Sequence, residues 1–156
     1  MIQGFEPPHS AEPIQKSHLQ AFPATAAGLI AGVVLLIVPR GSPWEGLTSF
    51  SPAILGRVPP AEWNIPIFGT IVLHLALALV YGFIISFGVI NIRELRAVFT
   101  GGIVGLLLYL LNLGVVSFFL PAMRGNEVSV IVTHFVFGLI AAGAYRGLLR
   151  RRVPVA

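Results

Sequence analysis

Residues 97–120 read AVFTGGIVGLLLYLLNLGVVSFFL, an uncharged run of 24 residues broken only by small or weakly polar side chains. A hydrocarbon core about 30 Å thick needs roughly 20 such residues in a helix. This stretch is therefore expected to cross a membrane. Three more runs share its character, at about 19–38, 66–90 and 128–149. Together they predict an all-α, polytopic membrane protein built as a four-transmembrane-helix bundle.

Composition agrees with lipid as the solvent. The 156 residues are 56% hydrophobic and 10% charged, where soluble domains carry about 25% charge. Mean hydropathy is +0.88. A net charge of +4 would suit nucleic acid if it were clustered, but the basic residues sit at the ends of apolar runs, so no nucleic-acid partner is expected. Without cysteine, disulfides, iron–sulfur clusters, zinc–thiolate sites and c-type haem attachment are excluded.

Outward from the third span, the chain divides simply. Residues 1–18 are polar, contain three prolines and read as a flexible tail. The one basic residue before the first span is Lys16, and the run leaves through Val38-Pro39-Arg40. That pattern lacks the features of a cleaved signal peptide, so the first span is expected to be retained. Residues 39–65 are rich in proline and glycine and carry Trp44 and Trp63, as an interfacial or re-entrant loop would. The connection 91–96 is short and makes the second and third spans antiparallel neighbours. Residues 150–156 begin with three arginines and form a basic tail, expected to anchor the fourth span to anionic membrane lipid.

Lys16, Arg93, Arg96, Arg146, Arg150, Arg151 and Arg152 fall on one side of this arrangement, and Arg40, Arg57 and Arg124 on the other. Cytoplasmic segments of membrane proteins carry the excess of lysine and arginine, which predicts both termini in the cytoplasm; a bacterial inner membrane is the expected setting.

The two halves resemble each other. Gly28-Leu29-Ile30-Ala31-Gly32 matches Gly101-Gly102-Ile103-Val104-Gly105, and Ile71-Val72-Leu73-His74 matches Ile131-Val132-Thr133-His134. Two tandem hairpins in parallel repeat would produce this pattern, related by an axis along the membrane normal. Gly28 with Gly32, and Gly101 with Gly105, form small-residue pairs that let another helix approach. The glycine-rich first and third spans are expected to pack on each other or on a partner.

The histidines are the candidate site. At 1.5 Å per residue, His74 and His134 lie about 10–12 Å below one edge of the membrane, and Asn112 falls in the same layer. Polar groups at such depth normally face a bundle interior or a ligand. Ala78 and Gly138, one turn from the histidines, would leave room for a flat ring. Two uses fit. The histidines could ligate a b-type haem, with chlorophyll-type pigment or quinone in the same slot, making His74 and His134 metal ligands. Alternatively they hydrogen-bond across the bundle as structural glue. All six carboxylates lie outside the predicted spans, which argues against acid–base hydrolysis within the membrane.

The expected role is a non-catalytic integral membrane subunit, an accessory or assembly component of a respiratory or photosynthetic complex in contact with other membrane subunits. The alternative is a small homo-oligomeric transporter or channel with a histidine proton relay.

Overall fold

The computed structural model describes residues 19–37, 62, 67–122 and 127–150. Within them the chain is all-helical, with α1 (Ala21–Ile37), α2 (Ile67–Val89), α3 (Glu94–Phe119) and α4 (Glu127–Arg150). The tail 1–18, the interfacial or re-entrant loop proposed for 39–65 and the residues after Arg150 lie outside the described residues, apart from Glu62.

By length and composition, α2, α3 and α4 can each cross a membrane. With 17 residues, α1 extends only about 26 Å, the lower edge of spanning length. Pro23 sits in its first turn and is fully buried, a position where the missing N–H costs no helical hydrogen bond.

The helix α3 begins three residues before Ala97, where the charged connection was expected to end. Arg93, with φ −60° and ψ 147°, is its extended N-cap. Glu94 then opens the helix, where its negative charge complements the N-terminal dipole, and it pairs with Arg150 at the far end of α4. Charge within 93–96 looked like loop; it is the helix's first turn.

The bundle is packed in an order that inverts a soluble core. Alanines 24, 27, 31, 78, 97, 141 and 142 are buried, whereas Phe68, Phe87, Phe99, Phe118 and Phe119 point outward. Burial of small residues lets helix backbones approach, and large apolar side chains suit an apolar solvent. In water the same surface would be an extended exposed apolar patch.

Around the bundle α1 packs on α2 and α4, and α3 packs on the same two helices; α1 and α3 do not touch within the described residues. The expectation that the glycine-rich first and third spans meet inside the subunit is therefore corrected. Each instead receives the second helix of its own hairpin. A Cβ built on Gly28 would strike the Ala78 carbonyl oxygen and come 3.1 Å from Gly82 Cα. One on Gly101 would lie 2.5 Å from the Gly138 carbonyl oxygen and strike Ala142 Cβ. Gly32 and Gly105 extend these seams by one turn, towards Ala78 and His74 in the first and towards His134 and Gly138 in the second.

Candidate functional site

The polar residues of the interior fall in two seams. In the first hairpin, His74 Nε2 lies 3.0 Å from the Gly32 carbonyl oxygen. A carbonyl only accepts, so Nε2 carries the proton and donates across α1 and α2. Gly32 admits the neighbouring Ala78, whose Cβ would be 2.6 Å from a Cβ built there, while the ring nitrogen at 3.8 Å would be in ordinary contact.

The second seam holds a longer chain. Tyr81 Oη on α2 donates to Asn112 Oδ1 on α3. Asn112 Nδ2 lies 2.7 Å from His134 Nε2 on α4, and His134 Nδ1 lies 2.8 Å from the Val130 carbonyl oxygen one turn back. The directions are mutually determined. Val130 can only accept, so Nδ1 carries the proton; with Asn112 Oδ1 taking the tyrosine proton, its amide nitrogen donates to Nε2. His134 is then a neutral imidazole with its tautomer set by both neighbours. Asn112, at the centre of this chain, is only 3% exposed.

A second tyrosine closes the arrangement. Tyr109, one turn before Asn112 on α3, sets its ring edge-on to His134 at a centroid distance of 5.9 Å. Its hydroxyl donates to Glu127 Oε2 at 2.9 Å. Tyr81 similarly stands edge-on to Phe137 at 6.2 Å. Sequence alone places Asn112 in the histidine layer and gives Tyr81 and Tyr109 no more than an interface or packing role. A signal existed, because Tyr109 and Asn112 are three residues apart and share a helix face. Tyr81, two turns beyond His74, gave none, since its reach to Asn112 depends on how α2 is rotated.

The residues expected to hold a ring-shaped ligand are placed differently from that expectation. Ala78 is buried against Gly28 and Gly32, and Gly138 against Gly101, Gly102 and Gly105. The space one turn from each histidine is filled by the neighbouring helix backbone. An iron ligand must also offer a nitrogen lone pair. Nε2 of His74 is a donor here, and both nitrogens of His134 are engaged. The arrangement hydrogen-bonds both histidines to neighbouring helices, His74 to α1 and His134 to α3. It fits histidines that join helices. Among the described residues, no group of three or more histidine or carboxylate side chains is placed to hold a metal ion.

Fold and site together define a class: an all-helical bundle with the dimensions and surface of a membrane-embedded protein, locked by interior hydrogen bonds. No family model, curated protein or solved structure matches the chain.

Proposed function

We propose that this chain is a non-catalytic membrane-embedded subunit that serves as an accessory or assembly component of a larger membrane complex. The observation behind this reading is the Tyr81–Asn112–His134–Val130 chain, whose donors and acceptors are consumed in joining α2, α3 and α4. A catalytic or carrier site would instead keep a polar group aimed at a substrate. In this chain of bonds the polarity of Tyr81, Asn112 and His134 is spent on holding helices together, as hydrogen bonds between membrane helices do at roughly 0.6–2 kcal/mol each.

The reading includes a parallel repeat of two hairpins. It is supported by equal packing registers: Gly28 meets Ala78 and Gly82, and Gly101 meets Gly138 and Ala142, positions four and eight residues beyond His74 and His134. It also places both termini in the cytoplasm of a bacterial cell, because the end of the bundle with Arg93, Arg96, Arg146 and Arg150 carries the excess positive charge.

The test is purification of the full chain in mild detergent, with native mass and absorption measured on one sample. Co-purifying foreign membrane subunits are the expected result. A homo-oligomer without them would favour a channel or transporter. A Soret band lost in His74→Ala or His134→Ala would overturn the structural assignment of the histidines in favour of b-type haem.

A further inference from the structure

The end of the bundle opposite the histidines has an organisation of its own. Arg146 and Arg150 lie one turn apart on α4 and reach the two ends of the α2–α3 connection. Arg146 Nη1 donates to the Ile90 carbonyl oxygen at 3.2 Å. Arg150 pairs with Glu94. The connection is thus sewn to the end of α4 at positions 90 and 94. Glu94 is the one carboxylate among the described residues at this end, and Arg150 uses its charge.

Among the described residues, three guanidinium groups have no matching negative charge: Arg93, Arg96 and Arg146. Arg93 and Arg96 are exposed and lie three residues apart, on neighbouring positions of the same helix start. Arg146 is steered to the connection by a bond that uses one of its five N–H groups. Directly below this cluster the surface turns apolar. Phe99, one turn beyond Arg96, is 60% exposed, and Phe87 near the end of α2 is 72% exposed. Between them α2 and α3 approach closely, since a Cβ on Gly88 would sit 3.4 Å from Val104 Cγ2.

We infer that Arg93, Arg96 and Arg146 form a site for the phosphate of an anionic phospholipid whose acyl chain lies along Phe87 and Phe99. Guanidinium groups bind phosphate oxygens in a paired geometry. An apolar wall immediately beneath the charges favours a lipid over a soluble anion, because only a lipid has a tail to cover it. The inference rests on the membrane reading of the bundle and adds to the arginines that do the anchoring. Of the three arginines 150–152 expected from sequence to meet lipid, Arg150 is paired with Glu94; Arg93, Arg96 and Arg146 add a second set of lipid contacts.

The full chain in neutral detergent is titrated with phosphatidylglycerol, or with phosphatidylcholine of identical chains, and bound lipid is counted by native mass spectrometry. Phosphatidylglycerol is expected to be retained preferentially, with affinity falling about five-fold for each of Arg93→Gln and Arg96→Gln. The charge-neutral double variant Glu94→Gln with Arg150→Gln should keep the preference. Melting without lipid confirms that each variant is folded. Equal retention of the two lipids, or indifference to both arginine substitutions, would overturn the site. So would full competition by millimolar inorganic phosphate, which would assign it to a soluble anion, or saturation by polyglutamate without any lipid preference, which would assign it to an acidic protein partner. Failure of the membrane reading itself would look different: the chain would be monodisperse without detergent.

Discussion

Two substitutions of the same kind on α3 should have opposite effects. Gly105 faces α4, and a methyl group there would overlap the His134 carbonyl oxygen and lie 3.0 Å from the carbonyl carbon and 3.4 Å from Gly138 Cα. The obstructing atoms are backbone, so no side chain can swing aside. The helices must separate, at the usual cost of about 1–3 kcal/mol for overpacking. Separation would also stretch the bond between Asn112 and His134, adding roughly 1 kcal/mol. Gly105→Ala should therefore destabilise the bundle by about 2–4 kcal/mol. Gly114, nine residues further along, has nothing among the described residues within 4 Å of a built Cβ. There alanine removes only the conformational freedom of glycine, and Gly114→Ala should be neutral or stabilising by about 0.5–1 kcal/mol. Unfolding from mild detergent by added SDS, followed by circular dichroism, would measure both. Equal effects at the two positions, or a stable Gly105→Ala, would refute the α3–α4 seam as described.

The polar chain makes a coupling prediction: Asn112→Ala strands Tyr81 Oη and His134 Nε2 and should cost about 1–3 kcal/mol, while Tyr81→Phe should cost measurably less in the Asn112→Ala background than alone. A double-mutant cycle with no coupling energy would count against the Tyr81–Asn112 bond. Tyr145 is fully buried and its hydroxyl has no hydrogen-bond partner among the described residues, so Tyr145→Phe should stabilise the fold by roughly 1 kcal/mol; a loss of stability in the same SDS assay would mean that the hydroxyl is bonded. The Glu94–Arg150 pair is solvent-exposed, with side chains 42% and 67% accessible, and its removal should cost under about 1 kcal/mol. Exchanging the two residues, as Glu94→Arg with Arg150→Glu, should recover part of that loss and leave the rest to the unfavourable dipole at both helix ends; no recovery would mean the charges do not interact.

Much of the architecture was legible because the helices are written along one axis. Run length decides whether a segment can cross a membrane, and the 1.5 Å rise per residue turns sequence position into depth. That is why Asn112 could be placed beside His134 before any contact was known. The glycines of α1 and α3 announced close packing, but not against which helix. Ala78 and Gly138 announced space next to the histidines, but not what fills it.

Those remaining questions concern rotation about each helix axis and the order of helices around the bundle. In a soluble helix a polar face marks the outside and so supplies the rotation. These four helices are apolar on all sides, and neither lipid nor neighbour is distinguished by hydrophobicity. The sequence by itself determined four apolar helices, three of them long enough to cross a membrane, together with the charged end and the polar layer. Only the tertiary structure decided that α1 and α3 stand apart, that helix backbone occupies the slots beside His74 and His134, and that Glu94 engages Arg150. The physical reason is that side-chain size and hydrogen-bond partners choose the facing surfaces, and those act between segments far apart in the chain.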